Sequence, residues 1–185
     1  ERIGKTLGTS DPPKHTFARG IVNKAFTPRT VADIKPKVRA LAQQLCRRAR
    51  DMGTIDFVAD ISAPFNAAIL GSMFGVPEQD FIDLRHWLDD FFKREKPQEG
   101  EEPKQVVAMR ELRRYLGAHA EQRLTKPGDD LMSAMLQAEE DGKKLTMEQV
   151  VITTMTFFTA GFESTNNLFT NLTHALSLHP RVLEE

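Results

Sequence analysis

Apolar residues recur along this chain at intervals of three and four, almost from end to end. Val31, Ile34, Val38, Leu41 and Leu45 make one stripe over about 30–52, with the Lys and Arg residues mostly outside it. Phe81, Leu84, Leu88, Phe91 and Phe92 make a second after Pro77, and Met109, Leu112 and Leu116 a third within 106–124. Period-two alternation is scarce, and only Thr54–Val58 reads as briefly extended. The pattern predicts a mainly α protein of six or seven helices, with no internal repeat.

Breakers and caps place the boundaries. Ser10-Asp11-Pro12-Pro13 is helix-start chemistry, so residues 1–14 read as irregular and a first helix as His15–Ala25. Thr27-Pro28 stops it and starts the next, which Gly53 ends. A third helix is expected over 58–74, closed by Gly75. Residues 93–105 are charged and broken by Pro97 and Pro103, and read as a solvated, mobile connector. After Pro127-Gly128, Asp129 is expected to cap a short helix to about Glu140, and Asp141-Gly142 to turn.

The last segment differs in kind. Thr146 with Gln149 three residues on fits a capping box, and Leu145 and Val150 sit where a hydrophobic staple would. Nothing breaks the helix before His179-Pro180, a span of about 32 residues or about 48 Å. Between Gln149 and Pro180 the only formal charge is Glu163. Such a helix is expected at the centre of the fold, covered on all sides. Thr153, Thr154, Thr156 and Thr159 interrupt its apolar run, so it does not read as a membrane span. A carboxylate on a buried helix needs a partner or a wet cavity, and Glu163 is expected to have one or the other.

Length and charge narrow the classes. The 185 residues suit one domain. The 25 Lys and Arg against 26 Asp and Glu leave no basic excess, which argues against nucleic acid or a membrane surface as partner. The single cysteine, Cys46, excludes an intrachain disulfide and a cysteine zinc site, and fits a reducing compartment. The start at Glu1-Arg2-Ile3-Gly4 reads as part of something longer.

Two clusters carry candidate chemistry. In Thr159-Ala160-Gly161-Phe162-Glu163-Ser164-Thr165, the mid-helix glycine permits close approach of a flat ligand or a local opening of the ladder. Glu163 and Ser164 set an acid beside a hydroxyl, suited to relaying protons. The competing reading is a glycine that eases helix packing, a paired Glu and a Ser bonded to its own backbone. His15 and Arg19, four apart, share a helix face and suit two carboxylates or a phosphate. With Lys14, Lys24 and Arg29 nearby, a solvated basic face is the alternative. His86 and His119 are expected at the surface or core edge, and His174 and His179 make no metal-ligand spacing.

Asp11-Pro12-Pro13-Lys14-His15-Thr16-Phe17-Ala18-Arg19, followed by Ala25-Phe26-Thr27-Pro28-Arg29, resembles the C-helix region of bacterial cytochrome P450 monooxygenases. Ala160-Gly161-Phe162-Glu163-Ser164-Thr165 resembles that family's distal I helix. Gly75-Val76-Pro77-Glu78 and Asp129-Asp130-Leu131-Met132-Ser133-Ala134 stand between them in the family's order, so the likeness runs from about residue 8 to 183. It implies a partial cytochrome P450 fold, with 1–185 a single partial domain from the C helix to the I helix.

The resemblance also implies roles. His15 and Arg19 would hold the propionates of haem b. Ala160 and Gly161 would lie against its distal face, and Glu163 and Ser164 would deliver protons to oxygen there. Residues 77–124 would form the lid over a pocket lined by Phe157 and Phe158. The activity implied is oxidation of a small organic substrate with O2. Electrons would come from NAD(P)H through a ferredoxin- or flavin-type reductase, with Lys24 and Arg29 helping that partner dock. The sequence departs from the family pattern in two places. Ser164 stands where threonine is usual, losing the methyl that stiffens χ1, so looser proton delivery is expected. No Cys-bearing Phe/Gly-rich loop occurs and no E-x-x-R follows the long helix (the one such spacing, Glu111–Arg114, precedes it), so the chain is expected to hold no metal ligand of its own and to be inactive in isolation. Cys46, within a helix beside Arg47 and Arg48, is expected to be a small buried residue rather than the iron ligand. The alternative function is a non-catalytic helical module or hydrophobic-ligand binder.

Overall fold

The computed structural model describes residues 7–97 and 99–183; the expectation for 1–6 lies outside them. Seven α-helices carry the described fold: α1 Lys14–Ala25, α2 Pro28–Met52, α3 Ala63–Met73, α4 Phe81–Phe92, α5 Lys104–Thr125, α6 Leu131–Gln137 and α7 Met147–Leu178. Among the described residues β-structure amounts to one isolated bridge, Glu140 with Lys143, so the extended expectation for Thr54–Val58 fails. Val58–Ser62 instead forms a π-helical turn running directly into α3, where one helix was expected over 58–74.

The caps follow the local chemistry. Thr27 accepts from Thr30 N at the start of α2, with Pro28 in the first turn. Thr146 and Gln149 make both halves of the capping box that opens α7. Asp130, not Asp129, caps α6, accepting from Ser133 N at 2.8 Å. Helix α6 stops at Gln137 because the chain must turn back through Asp141 and Gly142, both at positive φ.

The core lies where α4, α5, α6 and the first half of α7 meet. Leu84 and Leu88 of α4, Leu112 and Leu116 of α5, Met132 and Met135 of α6, and Val150, Met155 and Phe158 of α7 are all buried. Burying each such side chain is worth about 1.5–3 kcal/mol. Helices α4 and α5 form an antiparallel hairpin, since Asp80 before α4 meets Tyr115 late in α5, and Lys93 after α4 meets Gln105 early in α5. Helix α1 adds Ile21, Val22 and Ala25 to the same core.

Three expectations about burial need correction. Helix α7 is covered over Val150–Phe162 only; Glu163, Ser164, Asn167, Leu168 and Leu172 are exposed. The other helices crowd its first half, and beyond Phe162 it meets chiefly α3 and the π turn, through Asn166 and Phe169. Glu163 is therefore not a buried carboxylate. Helix α2 likewise buries only Leu45 of its stripe, because it leans chiefly on α3 and the π turn. Cys46 beside it is exposed rather than buried. Among the described residues no helix is long and apolar enough to cross a membrane.

Candidate functional site

Helix α7 makes the site because its surface changes character at one turn. Thr156 and Thr159 spend their hydroxyls on the carbonyls of Ile152 and Met155, whereas the fully buried Thr154 hydroxyl finds no partner among the described residues. One turn on, Ala160, Glu163 and Ser164 come to the surface. They line an open cleft of about 380 Å³ together with Thr159, Asn167 and the rings of Phe91 and Phe92 from the end of α4. Ser164 Oγ donates to the carbonyl of Ala160 at 2.6 Å, which fixes the hydroxyl and leaves its lone pairs toward other donors. Glu163 makes no hydrogen bond or ion pair among the described residues. The acid and the hydroxyl expected from sequence thus share one cleft.

The remaining residues divide. Ala160 presents its methyl to the cleft. Gly161 turns away, toward α3, where an added Cβ would stand 3.3 Å from Leu70 Cδ2. Its small size serves helix packing. Phe158 is fully buried, its ring 5.3 Å from that of Phe74. Phe157 stacks on Phe26 at 6.1 Å and tilts against Phe74 at 5.6 Å. Neither phenylalanine lines the cleft; Phe91 and Phe92 do. Sequence reasoning placed those two only on the apolar face of α4. The available signal was that this stripe runs one turn past Leu88, beyond what the core needs.

His15 is half-buried and Arg19 exposed on α1, one turn apart, and neither side chain is paired among the described residues. Lys24, further along the helix, is engaged within the chain: its ammonium meets the Glu140 carboxylate and donates to the Glu139 carbonyl at 2.6 Å. Arg29 lies 3.9 Å from Asp33, both largely exposed. A wider groove of about 980 Å³ between α2 and the α3–α4 corner carries both signs of charge, Lys37, Arg48 and Arg85 against Asp60, Glu78 and Asp129. It holds none of the expected site residues.

These positions can be tested against a haem. His15 and Arg19, two nitrogen donors one turn apart and unpaired among the described residues, fit the carboxylates of its edge, and the exposed Ala160 methyl offers a surface without bulk for its face. No group of three or more His, Cys, Asp or Glu able to hold a metal occurs among the described residues. Cys46 lies on α2, away from the cleft lining. His15 and Arg19 thus suit the edge of such a group and Ala160 its face, and Cys46 lies outside the cleft.

Comparison with known proteins bears on the family. The Cytochrome P450 family model matches residues 93–185. Cyclomarin C epoxidase CymV of Salinispora arenicola is 35% identical over 182 residues, covering 97% of this chain and 46% of that protein. Cytochrome P450(MEG) of Priestia megaterium is 35% identical over 170 residues, covering 90% and 41%. Among solved structures, CYP109E1 from Bacillus megaterium in complex with corticosterone aligns with a TM-score of 0.89 at 33% identity, covering 98% of this chain and 49% of that one. Cytochrome P450 CYP109Q5 from Chondromyces apiculatus gives 0.88 at 32% identity, covering 98% and 45%. The chain spans about half the length of the curated relatives it matches. In sequence over half its length and in fold over nearly all of it, the chain belongs to the cytochrome P450 family.

Proposed function

We propose that this chain forms the distal part of a haem-dependent monooxygenase site that oxidises a small organic substrate. The observation that carries the reading is the joint presentation of Glu163 and Ser164 to one cleft walled by Phe91 and Phe92. In this reading one atom of O2 enters the substrate and the other leaves as water. That balance consumes two electrons and two protons. The electrons come from NAD(P)H through a ferredoxin- or flavin-type partner. The haem, when bound, supplies the centre at which O2 is activated.

The chain's own residues bind, orient and move protons. His15 and Arg19 hold the two carboxylates of the haem edge by charge-assisted hydrogen bonds. Ala160 keeps α7 close to the haem face. Phe91 and Phe92 exclude water from one side of the cleft and hold an apolar substrate. Glu163 takes protons from solvent at its carboxylate; Ser164 Oγ accepts one at a lone pair and gives up its own hydrogen toward the cleft as that hydrogen swings off the Ala160 carbonyl. Serine holds this geometry less tightly than threonine, so coupling of electrons to product is looser.

The test is a haem titration of the full 185-residue chain followed by Soret absorbance. Weak binding without a thiolate spectrum is expected, and His15→Ala and Arg19→Ala should each weaken it about three- to tenfold. Binding indifferent to both substitutions would remove the haem-edge assignment and favour a hydrophobic-ligand module. A thiolate-type spectrum lost on Cys46→Ser would overturn the placement of the iron ligand outside these residues.

A further inference from the structure

Helix α7 is held from behind along one antiparallel seam. Phe65 meets Phe169 with ring centroids 5.5 Å apart, and Leu70 stands over Gly161. Phe74, just past α3, meets Phe157 and Phe158 at 5.6 and 5.3 Å. Apolar contacts of this kind are non-directional, so they hold the helix close without fixing how far it rolls or slides.

A polar cluster interrupts the seam. Ser62 Oγ donates to Asn166 Oδ1 at 2.7 Å, and Asn66 Nδ2 donates to the same oxygen at 2.5 Å. Ser62 is 0% and Asn66 4% exposed, so both donors are withdrawn from water and losing their acceptor would be costly. Both bonds are directional, and the two lone pairs of one carboxamide oxygen receive them. The local chain is shaped to deliver the donors. The π turn Val58–Ser62 is closed by reciprocal bonds, Asp56 accepting from Ala59 N and Asp60 from Asp56 N, each at 2.9 Å. It runs straight into α3, so Ser62 and Asn66, four apart, stand one above the other toward α7.

The cluster lies behind the turn whose front faces the cleft. At about 100° per residue, Gly161, Asn166 and Phe169 fall on one side of α7, and the middle of the set Ala160, Glu163, Ser164 and Asn167, which lines the cleft, falls about 180° away. A roll of about 20° would carry a side-chain atom about 5 Å from the helix axis by roughly 2 Å. Misplacement of about 1 Å can cost about a hundredfold in rate.

We infer that Ser62, Asn66 and Asn166 set the roll and register of α7, so that Glu163 and Ser164 come to the cleft in one fixed orientation. The three are positioning residues, and none of them lines the cleft. The inference rests on the proposed role of Glu163 and Ser164, but the lock itself is read with no haem present.

The experiment is a proton–nitrogen correlation spectrum of the full chain, with the amides of 160–167 as reporters. The parent should give one resonance for each. Asn166→Leu strands two buried donors and should destabilise the chain. The informative variant therefore replaces the whole cluster, Ser62→Ala with Asn66→Leu and Asn166→Leu, which leaves none of its polar groups unsatisfied and should unfold in urea at or above the parent midpoint. In it the reporters should split or broaden, as exchange between rolled positions requires, while 147–156 keep single resonances. Asn166→Asp keeps an oxygen for both donors and should keep the parent pattern. Phe169→Leu trims the same seam without touching the cluster; it should lower the urea midpoint and keep single reporters. Should the triple replacement fail to fold, Ser62→Ala, which deletes one of the two bonds, is read the same way. A merely stabilising cluster would move the midpoint and leave the reporters single in every variant. Single reporters in the triple replacement, or equal splitting in Asn166→Asp or Phe169→Leu, overturn the inference.

In a haem-loaded protein that contains this chain together with an iron ligand, the triple replacement should recover at least about threefold less product per electron, and Asn166→Asp the parent share. Split reporters with undiminished coupling would overturn the positioning role. If Glu163→Gln leaves turnover unchanged in that protein, the proposed function falls, and the lock, read without haem, stands.

Discussion

The ammonium of Lys24 bridges from α1 to the carboxylate of Glu140, and the Glu140 side chain reaches it by lying across Gly20. A Cβ at Gly20 would stand 3.1 Å from Glu140 Cδ. The helix carrying His15 and Arg19 is thereby fastened to the turn before α7. Lys24 is occupied at home, and a redox partner meeting α1 would have to compete for it.

That contact makes Gly20→Ala a test by double-mutant cycle. Alanine gains about 1 kcal/mol of helix propensity, and displacing the Glu140 carboxylate offsets it. Gly20→Ala should change stability by less than about 0.5 kcal/mol in the parent and stabilise by about 1 kcal/mol in a Glu140→Ala background. Urea unfolding gives both values, and equal effects in the two backgrounds would dismiss the contact.

Gly75 and Gly142 both sit at positive φ, +72° and +73°, but only Gly75 is hemmed in. Gly142→Ala pays only for the left-handed backbone, about 1–2 kcal/mol. Gly75→Ala also dislodges the Arg123–Asp130 pair and should cost at least about 3 kcal/mol. Thermal unfolding of the two variants side by side decides this, and equal losses would show the pair to be unimportant there.

His119 is 5% exposed, and burial and then the Arg123 charge lower its pKa; the Phe74 carbonyl, Asp130 and Asp80 act the other way. The folded state binds its proton less readily than the unfolded one. Its contribution is therefore fully present above the ordinary histidine pKa of about 6.5 and is lost as pH falls from there through the folded value. Urea midpoints measured from neutral pH downward should fall, and His119→Gln should flatten the decline by at most about 1.4 kcal/mol per pH unit. An unchanged slope in the variant would assign the decline to other groups.

Phe158 and Phe91 should separate core from cleft. Phe158→Ala leaves a hole in the closed core and is expected to cost about 3–5 kcal/mol. Phe91→Ala opens onto the cleft and should cost less than about 1.5 kcal/mol. Comparable losses by chemical denaturation would place Phe91 in the core as well.

In a haem-loaded protein that contains this chain together with an iron ligand, Glu163→Gln should lower turnover by about a hundredfold and raise the solvent isotope effect, as loss of a proton donor requires. Ser164→Thr should raise the share of electrons recovered as product. Peroxide release measured alongside product formation checks both, and unchanged coupling in Ser164→Thr would mean the serine already suffices.

Helix type and order were legible along the chain because their causes are local. The caps at Thr27 and Thr146, the break at Gly53 and the stripes of α4 and α5 each act within one or two turns. The acid–hydroxyl pair was legible too, since Glu163 and Ser164 are neighbours. Burial was not. The unbroken apolar character of α7 suggested cover on every side, yet only its first half is covered, because covering is done by other helices. Choosing between Asp129 and Asp130 as the α6 cap turned on which carboxylate Arg123 reaches from seven residues away.

By itself, then, the sequence determined six or seven helices in order, most of their stops, and the nearness of Glu163 to Ser164 and of His15 to Arg19, through hydrogen bonds and helical spacing that act within a few residues. Tertiary structure decided which faces those helices hide. It turned Phe157 and Phe158 inward and Phe91 and Phe92 onto the cleft, faced Gly161 to Leu70, and brought Gly75 and Asp130 together at Arg123. Those outcomes depend on contacts between residues tens of positions apart, where a face's apolar character says that it packs but not against what.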